Sequence, residues 1–484
     1  MTGKTDKTVR QNALRGLSWT GIAAVTGNIL QFLQLVIVSK FIFASDYGLM
    51  AITLVITYFA QLLGDMGISN ALIYKQDVSK EDFSTLFWIS LLFCWTVFGL
   101  LFLGSPLAAV FFKQPLLTSV IRMTSLSFIF LPLQMLYGSL LRKELHFNKM
   151  AMGDILSKMV SLLVAVVLAI NGSGVFALVY STLAGLAVSS VLFFFWGRKQ
   201  MLVGFQFKRR AVGDYLHFGF YQTGNDILTY FNFQIDTILL GKLLGINAAG
   251  YYSFAKNLAM KPAQLVNPVI NQVAFPLLAK MNNDNASVKN FYLKLIGYLS
   301  TLNFFIYPFV AALSGTIIGF CFSGKWMPAA PILQVLAFYG MIRSVFTPIG
   351  ALLSSKGMVK KLFYWNMALI CIIPVLVYFS SPAGVTWVAV ALSALLVVIF
   401  IPMWKYLIFP ACGAGLGEVW QAIRIPFINA VLLFLLLTLF DRLSFPSLAW
   451  KFFGGVFVWL VAGFLLTRII NKDLYKEVMG LFKF

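Results

Sequence analysis

Residues 161–196 read SLLVAVVLAINGSGVFALVYSTLAGLAVSSVLFFFW, with no Lys, Arg, Asp, Glu or His among them. A helix rises about 1.5 Å per residue and bilayer hydrocarbon is about 30 Å thick, so roughly 20 apolar residues make one crossing. The stretch is too long for one crossing and carries the turn-forming Asn171-Gly172-Ser173-Gly174 at its middle. That combination predicts two antiparallel transmembrane helices joined by a short hairpin. Residues 86–103 and 362–404 are charge-free in the same way. The whole chain of 484 residues is 60% hydrophobic and 11% charged, with a mean hydropathy of +0.87. A single water-soluble core does not need that much apolar surface, whereas a bilayer solvent explains it. The fold class is therefore all-α and polytopic.

Hydropathy and turn signals predict about fourteen spans, at 17–38, 47–71, 84–103, 117–141, 150–170, 175–196, 215–240, 249–277, 291–320, 329–353, 362–379, 385–407, 423–439 and 448–466. The first is expected to be a retained span, since its basic leader is long and no small-residue cleavage site follows. With the N-terminus inside, 26 of the 37 Lys and Arg fall in inner loops, tails and the span ends bordering them. Only Lys40, Lys113, Lys242, Lys325, Arg442 and Lys451 fall on the outer side. This asymmetry predicts both termini in the cytoplasm and accounts for the net charge of +21 without nucleic acid. Cys94, Cys321, Cys371 and Cys412 are scattered and read as small hydrophobes, not as a disulfide framework or zinc ligands.

Matches at a constant offset point to an internal repeat. Lys40 and Gly48 correspond to Lys242 and Gly250 at an offset of 202, while Lys113, Gly138, Leu140, Leu141 and Lys149 correspond to Lys325, Gly350, Leu352, Leu353 and Lys361 at 212. Six spans separate the copies, an even number, so the halves keep one orientation and an axis along the membrane normal relates them. The expected organisation is a six-helix lobe at 1–200, a second at 201–410, and two additional helices with a tail at 411–484, with a cavity between the lobes.

Charges inside a spanning helix cost a few kcal/mol unless they meet a bundle interior or a watered cavity. Five cations fall inside the expected spans: Arg122, Lys158, Lys256, Lys261 and Arg343. Surplus positive charge in a low-dielectric vestibule suits a phosphorylated ligand, which makes these five the candidate substrate-binding residues. The opposing account is that Arg122 and Lys256 snorkel outward, Lys158 pairs with Asp154 one turn away, and Asp236 caps a helix end. Asp226, Asp65 and Asp236 are the candidates for ion coupling or gating. Asn28, Gln31 and Gln34 on the first span, and Gln222, Asn225, Tyr230, Asn232 and Gln234 on the seventh, offer hydrogen bonds to sugars or to other helices. Pro132, Pro262, Pro308 and Pro348 supply kinks. No phosphate-binding loop, nucleophile with a base, or Cys/His ligand spacing is found around His146 or His217, so the expectation is a transporter without catalytic residues, metal or cofactor.

Several stretches resemble the Wzx-type polysaccharide flippases of the multidrug/oligosaccharidyl-lipid/polysaccharide exporter superfamily, in the subgroup of the colanic acid and teichuronic acid exporters. They are Asp46-Tyr47-Gly48-Leu49, Asp65-Met66-Gly67-Ile68 with Ala71-Leu72-Ile73, Phe87-Trp88, and Leu141-Arg142-Lys143-Glu144-Leu145-His146-Phe147. Asp236 through Gly245 with Gly250-Tyr251-Tyr252, Phe275-Pro276, Gly324-Lys325-Trp326, Ala330-Pro331-Ile332-Leu333 and Pro348-Ile349-Gly350 continue the series. The resemblance implies a flippase of the bacterial inner membrane that moves undecaprenyl-diphosphate-linked oligosaccharide repeat units outward by alternating access. It also implies coupling to H+ or Na+, and work alongside a polysaccharide polymerase and a chain-length regulator. A drug antiporter or a lipid II flippase on the same scaffold are the alternatives; a membrane polymerase or ligase would need a sizeable outer loop that this sequence lacks.

Overall fold

The computed structural model describes residues 2–65, 68, 72, 78–205, 209–281 and 284–470, with the backbone alone at 2–18, 65, 209–223, 225, 267–273, 276, 467, 469 and 470. Among these residues all regular structure is helical. Twelve helical stretches are long and apolar enough to cross a membrane, so the chain is a multi-pass membrane protein. The two further spans expected at 215–240 and 249–277 fall in helices of 35 residues each. Their Asn, Asp, Gln and Lys content keeps them out of the apolar set, and among the described residues the count by length and hydropathy is twelve.

Contacts divide the chain into two compact units, residues 1–250 and 251–484. The lobes expected at 1–200 and 201–410 are defined by equivalence between halves, a different criterion that this division does not address. In the first unit α1 (Thr2–Ser39), α2 (Ala44–Asp65), α3 (Lys80–Phe112), α4 (Leu116–Ser125), α5 (Ser127–Lys143), α6 (Phe147–Ile170) and α7 (Val175–Gly197) are followed by α8 (Arg209–Leu243) and the start of α9 (Ile246–Lys280).

The hairpin predicted from 161–196 is α6 and α7. Gly172 and Gly174 take φ of 74° and 54°, the left-handed region that favours glycine, and the Ser173 N–H closes α6 on the Leu168 carbonyl at 3.0 Å. Lipid tails give no hydrophobic drive between helices, so close backbone approach supplies the contact. A Cβ on Gly185 would lie 3.1 Å from the Ser157 carbonyl oxygen, and one on Gly153 would lie 2.6 Å from the Phe193 ring. The loop after α7 is tied back onto α3: Trp88 Nε1 donates to the Gly204 carbonyl at 2.9 Å, and the Gly204 N–H donates to Ser84 Oγ at 2.9 Å. Phe205 stacks on Trp88 at 5.5 Å.

In the second unit, the remainder of α9 is followed by α10 (Asn285–Ala312), α11 (Ser314–Cys321), α12 (Ala330–Phe346), α13 (Ile349–Ser355), α14 (Val359–Ser380), α15 (Val385–Val398) with short helical turns running on to Cys412, α16 (Leu416–Asp441) and α17 (Leu448–Ile470). α10 packs on α12 and α16 around Tyr292, Ile296, Tyr307, Ala337 and Met341. The last hairpin is fastened at both ends. Lys289 pairs with Glu418 at 2.8 Å near one end of α16, while Asp441 at the other end meets Lys451 at 3.1 Å and the Thr316 hydroxyl at 2.7 Å. Trp459 Nε1 donates to the Phe305 carbonyl at 2.8 Å, pinning α17 to α10. All four cysteines are free thiols.

Asp284 caps α10. Its carboxylate accepts from the Ala286 N–H at 3.0 Å and from the Ser287 hydroxyl, and those hydrogen bonds hold its pKa below the ordinary carboxylate value. A depressed folded-state pKa contributes stability above the unfolded pKa and loses it as pH falls through the folded one. Asp284→Ala should therefore lower the thermal midpoint of the detergent-purified protein at neutral pH, with the gap from the parent closing as pH drops below the usual carboxylate range. A gap that stays constant over that range would refute the capping role.

Candidate functional site

In the first unit the central feature is Lys158, the twelfth of the 24 residues of α6. α6 packs against α1, and the Lys158 side chain lies along α1 at Gly27. A Cβ at Gly27 would meet Lys158 Cδ at 2.8 Å and Cε at 3.0 Å, and would fall onto Nζ. Glycine at 27 is what leaves room for this side chain. Asp154, one turn earlier, feels the charges of Lys158 and Arg142. Among the described residues, however, no ion pair or hydrogen bond to the Lys158 ammonium is formed. Of the α1 amides, that of Asn28 donates to the Ala24 carbonyl at 2.8 Å, and that of Gln34 donates to Ser181 Oγ on α7 at 3.4 Å.

Arg122 has a different environment. Pro106 inside α3 has no N–H, so the carbonyl four residues earlier, that of Phe102, lacks its helical donor. Arg122 Nε donates to that carbonyl at 3.3 Å and to Ser105 Oγ at 3.2 Å, and Ser105 Oγ itself donates to the Phe102 oxygen at 2.8 Å. The guanidinium also lies 4.9 Å from the Phe102 ring. Pro106, placed sixteen positions before a basic residue in the next span, is the signal that sequence reading missed. Lys242 repeats the pattern at the end of α3, donating to the Phe111 carbonyl and lying 4.2 Å from the Phe111 ring.

Among the acidic candidates, Asp236 is 6% exposed and accepts from the Thr237 N–H at 2.7 Å. Asp226 is half-buried on α8, one turn before Tyr230, whose hydroxyl donates to the Val55 carbonyl of α2 at 2.8 Å. The side chains of Asp65, Gln222 and Asn225 lie outside the described residues.

In the second unit Arg343 occupies the last turn of α12, four residues before Thr347, where the span breaks ahead of Pro348. A cation there complements the carbonyls at the end of a half-helix. Its Nη1 donates to Tyr339 Oη at 2.8 Å. Gly340, on the same helix, leaves space for the Tyr307 ring, to which a Cβ would come within 2.7 Å. Lys256 is 6% exposed on α9, 5.7 Å from the Tyr252 ring, and Lys261 is half-buried just before Pro262. Arg343, Lys256, Lys261, Asp226 and Asp236 all have interaction partners. Among the described residues, then, Arg122, Lys256, Lys261 and Arg343 are engaged by protein groups, whereas no hydrogen bond or ion pair reaches the Lys158 ammonium. No cluster of His, Cys, Asp and Glu suited to a metal occurs among the described residues.

Residues 37–331 match the polysaccharide biosynthesis protein family. The chain is 31% identical over 423 residues to the lipopolysaccharide biosynthesis protein WzxC of Escherichia coli K12, covering 87% of this chain and 85% of that one. It is 27% identical over 420 residues to the teichuronic acid biosynthesis protein TuaB of Bacillus subtilis, covering 87% of each. Among solved structures, the lipid II flippase MurJ in an inward closed conformation superposes with a TM-score of 0.74 at 16% identity, covering 94% of this chain and 99% of that one. An inward-facing multidrug resistance transporter of the MATE family superposes with a TM-score of 0.56 at 14% identity, covering 86% of this chain and 98% of that one. At such identities the likeness is one of fold, whereas the family match and WzxC extend to sequence: the chain belongs to the polysaccharide biosynthesis protein family.

Proposed function

We propose that this protein is a flippase of the bacterial inner membrane that moves undecaprenyl-diphosphate-linked oligosaccharide repeat units from the cytoplasmic to the outer leaflet. In this reading both termini are cytoplasmic, and a polymerase with its chain-length regulator uses the product. The observation that carries it is Lys158, a cation halfway along an apolar helix with no hydrogen bond or ion pair to it among the described residues. An ammonium in hydrocarbon is costly, so one held without a protein partner implies water or an anion in its place. A diphosphate head group supplies that anion, and the Asn and Gln amides carried by α1 suit sugar hydroxyls. The names of related proteins support the polysaccharide assignment, among them a succinoglycan biosynthesis transport protein of Rhizobium meliloti, 27% identical over 364 residues.

Arg343 is the matching cation of the second unit, with Tyr339 orienting its guanidinium. Arg122 serves α3 in this reading, as the donor that replaces the proline's missing N–H. Asp226 and Asp236 are the titratable groups through which H+ or Na+ would couple to transport, with Asp65 a third candidate.

Deletion of the gene should cause lipid-linked repeat units to accumulate on the cytoplasmic side. Normal lipid pools with altered drug sensitivity would instead indicate an antiporter. Hydrogen bonds to charged groups are worth about 1.5–3 kcal/mol, so Lys158→Gln and Arg343→Gln should each reduce export of the polymer by roughly tenfold or more at unchanged membrane levels. Arg122→Gln should act instead through lowered protein stability. Full export by the Lys158→Gln strain would remove that residue from the mechanism.

Gly27→Val fills the space that Lys158 occupies and should lower export to a similar degree. Because both changes displace one ammonium, the Gly27→Val, Lys158→Gln double variant should be no worse than either single. Additive losses would show that Gly27 acts through helix packing alone.

A further inference from the structure

The first turns of α2 and α9 meet backbone to backbone through two glycines. A Cβ on Gly48 would fall onto the Ile246 carbonyl oxygen and come within 3.0 Å of the Gly250 nitrogen. A Cβ on Gly250 would fall onto the Ala44 carbonyl oxygen and lie 3.2 Å from the Gly48 nitrogen. The pairing is reciprocal: Gly48 faces residue 246 while Gly250 faces residue 44, and both pairs obey the 202-residue offset of the repeat. Reciprocity of this kind marks two equivalent surfaces meeting on a twofold axis.

The surroundings are dry. Leu49, Met50, Ile52 and Ile246 are at most 5% exposed and belong to one apolar cluster with Phe112 and Val175. Gly241, near the end of α8, admits Ile52, whose Cδ1 would lie 2.5 Å from a Cβ there. Repeats related by an axis along the membrane normal alternate access by rocking against one another, which opens one face as it closes the other. A contact on the axis made by two residues without side chains can part and re-form with nothing to withdraw or rethread. Glycine at both positions is required for closure and not for turn geometry, since both lie inside helices with φ outside the left-handed region.

We propose that the Gly48–Gly250 contact is the outer closure of this transporter, and that it separates and re-forms once in every transport cycle. The proposal takes its orientation from the flippase reading but does not depend on the identity of the cargo.

The test uses the full chain with Cys94, Cys321, Cys371 and Cys412 replaced by Ala and a single reporter, Ile246→Cys, labelled from outside intact cells with a membrane-impermeant maleimide. The parent should label slowly. Gly48→Val and Gly250→Val, which wedge the contact apart, should each label at least about tenfold faster and lose polymer export at unchanged membrane levels. Should the valines prevent assembly, Gly48→Ala and Gly250→Ala place one methyl group against the same atoms and should give smaller shifts in the same direction. Unchanged labelling in assembled variants, or faster labelling with normal export, would overturn the proposal. The labelling does not read transport, so Lys158→Gln should reduce export roughly tenfold or more without altering the labelling; a failure of the head-group reading thus remains distinct from a failure of the closure.

Discussion

The constraint from which the rest follows is that a charge or an unbonded peptide group has nothing to bind in hydrocarbon except protein, trapped water or cargo. Arg122 and Lys242 answer it in one way. Each donates to a carbonyl that the α3 backbone cannot satisfy, Phe102, which the Ser105 hydroxyl also serves, because of Pro106, and Phe111 because it lies in the last turn of the helix. Each guanidinium or ammonium also rests against the ring of the residue whose carbonyl it serves. Lys158 answers it differently, stretched over a glycine with no acceptor among the described residues. The same type of residue is mortar in one place and, in the proposed reading, a ligand group in the other, and only the neighbouring groups tell the two apart.

Much of the architecture was legible in the residues because crossing a bilayer imposes one-dimensional rules. The 161–196 hairpin follows from length, absence of charge and the turn-forming Asn171-Gly172-Ser173-Gly174, none of which needs tertiary information. The helices at 215–240 and 249–277 are expected as spans only from turn punctuation and charge bias, since Asp226, Asn232, Gln234, Asp236, Lys256 and Lys261 dilute their hydropathy and leave both outside the twelve apolar stretches. The breaks at Leu126 and Thr347 were only half visible. Pro348 marks the second, while the first has no proline at the break and Pro132 lies inside α5.

The site was less legible, for a definite physical reason. Sequence places a cation at a depth but does not say what stands across from it. Pairing of Lys158 with Asp154 was a reasonable expectation from i, i+4 spacing, yet the side chain runs to α1 instead, and the decisive residue there is Gly27, which carries no chemistry in the sequence. The engagement of Arg122 had a readable signal in Pro106, since a proline inside a span always orphans the carbonyl four residues earlier. Gly48 and Gly250 were read as marks of a repeat, and their contact with each other appears only in three dimensions.

The fastening of the final hairpin determines what it can do mechanically. Glu418 and Asp441 anchor α16 near both of its ends, and Trp459 locks α17 to α10 between them. Spread over the α16–α17 hairpin, these three attachments to α10 and α11 restrain it from tilting or sliding separately from its support. Any excursion of α10 therefore carries α16 and α17 as ballast, and flexure must be taken up in the connections outside that block, such as Ser381–Ala383 with Gly384 or the stretch around Gly413 and Gly415.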